Sequence, residues 1–302
     1  MRIVKRGLLA LVILLLVAGY WLLVDNRPGA AQPKPITMAQ LRALAMTMPG
    51  QAPSNVEMER VTGREVPATL FAAGLAPRQR ETAVMAFCLP VPGGQPVMID
   101  SGLSREAAES MQFSDYDAAA QARIDKQLRG AGLVLFTHEH IDHQGGLLAL
   151  NDRAALAKAR FNPGQLPGQR WSDMLPWPTP PLPVATITGT QPQAVAPGIV
   201  VIPAASHTPG SQMVFVRLAD GREFLFAGDI STLAESWQQT RARSRLLGDF
   251  IAPENRAEVF AWLRTIQGWH REAPAMQIIP GHDLGWITAD PAKRGVRIGF
   301  AP

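Results

Sequence analysis

Cysteine is nearly missing from this chain: Cys88 is the single one in 302 residues. No intramolecular disulfide can therefore brace it, and no thiolate zinc knuckle can form. Aromatic residues are few, at 7%, and the tyrosines are Tyr20 and Tyr116 alone. No run of lysine and arginine interleaved with aromatics is present. The net charge of +4 and pI of 9.6 owe three positive charges to Arg2, Lys5 and Arg6 at the N-terminus, and the remainder is close to balanced. A nucleic-acid partner is therefore not expected. No internal repeat with a readable period occurs, and Cys88, in the apolar run Thr82 to Leu89, reads as a buried, inert thiol.

What is plentiful points to a layered domain. With 47% hydrophobic and 18% charged residues the chain can bury a full core, and 26 glycines and 26 prolines fit many short elements joined by turns. An α/β or all-β architecture is favoured over a helical bundle. The N-terminus stands apart. Gly7 to Val24 is an uncharged, almost wholly apolar run of eighteen residues, with Arg2, Lys5 and Arg6 before it and Asp25 after it. That pattern reads as an uncleaved signal anchor with a cytoplasmic N-terminus and the rest exported, to the periplasm in a Gram-negative cell. A signal peptide cut near Gly29-Ala30-Ala31 is the alternative, and without a cysteine there a lipoprotein anchor is excluded. Residues 1–31 are thus taken as anchor or signal, 32–54 as linker and short helix, and 55–302 as the main domain.

The densest chemistry lies in Thr137-His138-Glu139-His140-Ile141-Asp142-His143-Gln144-Gly145-Gly146, just after the apolar run Leu133 to Phe136. Neutral imidazole and carboxylate suit zinc and its first-row neighbours, and crowding them together is unfavourable without a cation. His138 and His140 are two apart, so in an extended segment they project to one side and can chelate one ion. Asp142 and His143, where the chain leaves the strand, can face a second.

In chain order, Asp25 to Pro35 reads as a polar linker, and Thr37 with Gln40 as a capping box opening a short helix. Strands are expected over Val56 to Val61, Glu81 to Val91 and Pro96 to Asp100, the last ending in Ile99-Asp100-Ser101-Gly102. Asp100 is either a support for a nearby ligand or a plain turn residue. Ala118 to Leu128 and Leu147 to Ala159 read as helices. Asn162 to Pro183, with Trp171 and Trp177, is a pocket wall, a lid or a covering loop. Ile199 to Pro203 leads into Ser206-His207-Thr208-Pro209-Gly210. Gln212 to Leu218 and Arg222 to Phe226 pair across Asp220-Gly221, and the second runs into Asp229. After an amphipathic helix over Arg256 to Gln267, Met276 to Ile279 is the last expected strand, ending in Pro280-Gly281-His282-Asp283. Five of the six histidines follow strand ends; the sixth, His270, is expected to be a surface imidazole.

On these motifs the chain resembles the metallo-β-lactamase-fold hydrolases, from about Val56 to Asp283. The residues carrying the resemblance are His138-x-His140-x-Asp142-His143, His207, Asp229 and His282, led by Asp100. The resemblance implies an α/β fold, an αββα sandwich with a dinuclear site at one edge. His138, His140 and His207 would bind one divalent ion, Asp142, His143 and His282 a second, and Asp229 both; Asp100 would brace the ligand loops. Zinc is the first choice, iron or manganese the alternatives. Two ions about 3.5–4 Å apart would acidify a shared water towards neutrality and furnish a hydroxide nucleophile. Asp142 would orient or shuttle the proton.

Within the superfamily, His207-Thr208-Pro209-Gly210-Ser211-Gln212 and Gly281-His282-Asp283 resemble the quorum-quenching N-acyl homoserine lactonases. That group typically carries a tyrosine shortly after the bridging aspartate, where this chain has Ile230, Ser231, Thr232 and Leu233. A small ester or lactone is the expected substrate. A glyoxalase II-like thioesterase, a true metallo-β-lactamase, and a non-catalytic membrane-tethered binding module are the alternatives.

Overall fold

The computed structural model describes residues 2–301. The chain lays down strands β1 (Val56–Pro67), β2 (Gln79–Leu89), β3 (Val97–Ile99) and β4 (Leu133–Leu135). It continues with β5 (Gln193–Ala196), β6 (Ile199–Pro203), β7 (Gln212–Arg217), β8 (Glu223–Gly228), β9 (Gln277–Pro280) and β10 (Val296–Ile298). These form two five-stranded sheets, ordered β10-β1-β2-β3-β4 and β5-β6-β7-β8-β9.

Strand composition explains the stacking. Strands β3, β4 and β6 and most of β7 and β8 are buried on both faces and apolar almost throughout, whereas β1 alternates apolar Val56, Met58 and Val61 with Glu57, Glu59 and Arg60. In β6, Ile199 and Val201 point between the sheets while Val200 and Ile202 point to the outer helices. In β2, Met85 and Phe87 point inward and Val84, Ala86 and Cys88 outward. Phe87 meets Phe226 edge to face across the sandwich, ring centres 4.9 Å apart.

Helices Met38–Ala45 and Arg256–Glu272 cover the second sheet, and Ala118–Gly130 and Ile141–Ala149 the first. Helix Arg256–Glu272 is capped by Asn255, whose side chain accepts from the Glu258 amide, and buries Val259, Phe260, Leu263 and Ile266. Each such side chain contributes about 1.5–3 kcal/mol. The αββα layering is the one expected from the motifs.

Several local expectations change. The helix after the histidine motif begins at Ile141, inside the motif, and not at Leu147. It stops at Ala149, because Asn151 turns left-handed (φ 50°) and Asp152 caps a separate helix, Arg153–Leu156. β9 is not the last strand: β10 pairs parallel with β1, Val296 beside Val56. The segment expected as a polar linker over Asp25 to Pro35 is docked: Asp25 is buried, and Asn26 bonds to the backbone of Thr240 and Ala242. His270 is half-buried against Trp237, ring centres 4.8 Å apart, rather than a free surface imidazole. Helix Arg2–Leu23 contains a stretch, Ile3–Leu23, long and apolar enough to cross a membrane, and its apolar side chains are exposed.

Candidate metal centre

Every predicted ligand sits just past a strand end, at one edge of the sandwich. The first sheet supplies Asp100 after β3 and the run His138 to His143 after β4; the second supplies His207 after β6, Asp229 after β8 and His282 after β9. The loops are tied across the two sheets. Gln212 donates its amide to the Thr137 carbonyl (2.8 Å) and its side chain to the Phe136 carbonyl (2.7 Å). Glu139, fully buried, accepts from the Thr208 hydroxyl (2.7 Å) and the Gly210 amide (3.1 Å), joining the His138 and His207 loops.

Two donor groups result: His138, His140, His207 and Asp229, and beside them Asp142, His143 and His282. In the first, Nε2 of His138 lies 2.9 Å from Nδ1 of His140, which is 3.4 Å from Nε2 of His207. Asp229 Oδ2 is 3.9 Å from His138 Nε2 and 3.6 Å from His207 Nε2. In the second, Nε2 of His143 and of His282 are 3.2 Å apart, and Asp142 Oδ2 is 3.6 Å from His282 Nε2. Asp229 Oδ1 faces this group, 3.1 Å from His282 Nε2 and 3.9 Å from His143 Nε2.

The set fits metal ions. Donors about 2.0–2.1 Å from a tetrahedral zinc lie roughly 3.3 Å from one another, close to the spacings seen. His143 and His282 point Nε2 at Nε2 while their Nδ1 atoms face Asp100 and the Ala83 carbonyl, so in the neutral tautomers two acceptor lone pairs meet, an arrangement a cation satisfies. Asp229 Oδ1 is buried without a well-directed hydrogen bond despite the nearby His282, an acceptor left for another partner. Burial, with the positive charge of basic neighbours, holds His138, His140 and His207 well below the ordinary imidazole value, so they present neutral lone pairs. Burial also opposes the charge on His143, but the carboxylates of Asp100, Asp142 and Asp229 outweigh it and raise this group to about 9.

The remaining ring nitrogens are held from behind. His143 Nδ1 meets Asp100 Oδ2 at 2.9 Å, His282 Nδ1 the Ala83 carbonyl at 2.8 Å, and His207 Nδ1 Glu254 Oε2 at 3.0 Å. Such partners fix tautomer and ring orientation. Asp100 is thus a support as well as a turn residue: it also accepts from the Thr137 amide (2.7 Å) and hydroxyl (2.9 Å). Glu254 and Arg243 were not foreseen. Burial raises Glu254 to about 7. Arg243 Nη2 donates to Asp229 Oδ2 at 2.5 Å and to the Thr232 hydroxyl at 3.2 Å. Neither has a sequence signal, because each comes from the stretch between β8 and β9 and reaches the site only through folding.

A cavity of about 330 Å³ opens onto the centre, lined at its floor by His140, Asp142, Asp229, Arg243 and His282 and on its walls by Phe71, Met111, Phe113, Leu247 and Ile251. Trp171 and Met174 line it too, and Trp171 stands edge-on to His140 at 4.8 Å. The middle of the loop Asn162 to Pro183 is therefore a pocket wall, while Trp177 packs on Phe161 in the core as a cover.

The family model of the metallo-beta-lactamase superfamily matches residues 83–264. Among solved structures the chain is similar to a quorum-quenching N-acyl homoserine lactone lactonase, at 15% identity and TM-score 0.61, over 80% of this chain and 97% of that one. It is similar to an N-acyl homoserine lactone hydrolase with N-hexanoyl-L-homoserine bound at its catalytic metal centre, at 14% identity and TM-score 0.61, over 79% and 97%. It is also similar to a mutant of B. thuringiensis AiiA with N-decanoyl-L-homoserine at the active site, at 14% identity and TM-score 0.60, over 79% and 97%. At such identities the likeness establishes the fold. No curated protein matches the chain.

Proposed function

Since the chain belongs to the metallo-beta-lactamase superfamily and is a metal-dependent hydrolase, we propose that it holds two divalent ions and opens a small ester or lactone of the N-acyl homoserine lactone type. The observation that carries this is the placement of Asp229, one oxygen facing each donor group. In this reading His138, His140 and His207 would hold one ion, Asp142, His143 and His282 the other, and Asp229 would serve both. When bound, zinc or a similar ion supplies Lewis-acid polarisation of a carbonyl oxygen and a water acidified towards neutrality.

The chain's own residues do the rest. Asp142 lines the cavity from the first turn of helix Ile141–Ala149, placed to accept a proton released at the floor and pass it to a leaving oxygen. Arg243 orients the Asp229 carboxylate and brings a fixed positive charge to the floor, where negative charge develops on a carbonyl under attack. Phe71, Met111, Phe113 and Leu247 exclude water and accept an acyl chain. The acyl homoserines bound in the two similar structures support that substrate class. Helix Ile3–Leu23 supports a signal anchor with the catalytic domain exported.

The test is metal analysis of the full-length protein beside a substrate panel. Two ions per chain, turnover of N-decanoyl homoserine lactone or an aryl ester, and loss of both on chelation are expected. Asp229→Ala should retain at most one ion. Full activity with one ion, or turnover confined to a cephalosporin or a thioester, would overturn the proposal.

A further inference from the structure

The cavity and the N-terminal helix meet on one short segment. Leu246–Ile251 is a wide helical turn; Leu247 and Ile251 line the cavity, while Phe250 and Ile251 stand 60% and 59% exposed. Met174, another lining residue, is 68% exposed. Large apolar side chains so open to water call for a covering partner. Phe250 packs edge-on to Trp21, in the last turn of helix Arg2–Leu23, with ring centres 6.1 Å apart. Arg245 lies over the same indole at 5.3 Å.

The junction is rigid. The Leu23 carbonyl accepts from the Thr69 hydroxyl (2.9 Å) and the Gly74 amide (3.0 Å). Asp25 accepts from Arg245 at 3.2 Å, and its carbonyl from Arg256 at 2.9 Å. Asn26 bonds to the backbone of Thr240 and Ala242. A helix fixed this way transfers its depth to its neighbours. Tyr20 and Trp21 end the apolar stretch, where aromatic residues mark the membrane–water boundary, so Phe250 and Ile251 stand at that same level.

We infer that the mouth of the cavity rests on the lipid bilayer surface, and that the substrate is an aliphatic ester or lactone amphiphile drawn from the bilayer rather than from bulk water. The substrate chemistry rests on the hydrolase reading of the site and the docking on the signal-anchor reading of the N-terminal helix, which flotation of the full chain with the vesicles checks separately. Phe250, Ile251 and Met174 enter the interfacial layer, the polar head of the substrate reaches the floor at Asp229 and Arg243, and the chain of the substrate trails along Leu247 and Ile251 into lipid.

The experiment uses the full chain in phosphatidylethanolamine and phosphatidylglycerol vesicles. Buried Cys88 leaves an introduced thiol as the single reactive one. An environment-sensitive dye on Phe250→Cys should be quenched by lipids brominated high on the acyl chain. The same dye on Met46→Cys should not, because Met46 follows Ala45, whose carbonyl accepts from the Gly198 amide just before β6, at the end of that strand opposite the metal centre. Hydrolysis of a decyl-chain lactone should follow its mole fraction in the bilayer, and Phe250→Glu should slow it about tenfold. A water-soluble acetyl ester should be hydrolysed by Phe250→Glu at the parent rate. An unquenched dye at 250, shielding there that tracks protein concentration without lipid and so reveals a second copy of the chain, or rates set by bulk concentration alone would each overturn the inference. Those results would leave the metal content and soluble-ester activity standing, so a failure of the hydrolase reading shows separately, as loss of both.

Discussion

Asp100 Oδ2 lies 2.9 Å from Nδ1 of His143, a residue 43 positions further on. Asp100 holds this position with a left-handed backbone (φ 58°), a conformation that costs about 1–3 kcal/mol in a residue with a side chain. Asparagine tolerates the same backbone, so Asp100→Asn isolates the carboxylate from the strain. Metal affinity, read by competition with a chelator, should fall roughly 10–100-fold with the fold intact. Unchanged affinity would show that His143 needs no such support.

Gly146 admits no side chain. Its amide donates to the Gly102 carbonyl at 3.0 Å, and a β-carbon there would collide with the backbone carbonyl of Ser101. Gly146→Ala should lower stability by about 3 kcal/mol by prising helix Ile141–Ala149 off the Asp100 loop, with loss of bound metal. At Gly145 the nearest obstacle is a side-chain atom, Cγ1 of Ile141, so Gly145→Ala forces a χ1 shift of that β-branched residue, about 0.5–1.5 kcal/mol, partly offset by alanine's better helix propensity, and should cost less than Gly146→Ala. Thermal melts of the two variants settle it; equal effects would refute the close backbone contact.

Where the loops around these two contacts converge is partly legible in the sequence. His138 to His143 and the strand-end positions of Asp100, His207, Asp229 and His282 were legible because ligand spacing and strand-terminal placement are local properties. The start of the helix at Ile141 was hidden, because His140 opens it without a side-chain cap and the motif read as loop. Glu254 and Arg243 carry no local pattern at all. β10 offers three residues whose pairing with β1 is decided by the sheet edge. Asp25 looked like linker because its partners Arg245 and Arg256 lie more than two hundred residues away.

Asp25 should impose a pH dependence on the docking of the N-terminal helix. A hydrogen bond from Arg27, helped by Arg245 and opposed by burial, holds its carboxyl at about 2, against 3.8 for the free group. A depressed carboxyl stabilises the fold fully above its unfolded value, and the contribution is lost as pH falls towards the folded value. Hydrogen exchange of residues 20–26 should therefore be flat above pH 4 and, after correction for intrinsic rates, accelerate between about pH 4 and pH 2. Asp25→Asn should exchange fast throughout. A break near neutral pH would point to a different group.

Cys88 should be silent in the folded protein. Burial, with Glu57 nearby, pushes its thiol up to about 12, so at pH 8 only about one molecule in 10⁴ carries a thiolate. Maleimide labelling should proceed only through unfolding and speed up sharply across the denaturant transition. Fast labelling in buffer would contradict the burial of β2.

The division of donors between the sheets has a further meaning. His138, His140, Asp142 and His143 belong to one half of the sandwich, His207, Asp229 and His282 to the other. The ions in this reading work as rivets through a seam, and the affinity of the centre gauges how well the halves are closed. A substitution deep between the sheets, such as Phe226→Ala opposite Phe87, should loosen metal binding without touching a single ligand; unaltered binding in that variant would mean the loops alone hold the seam.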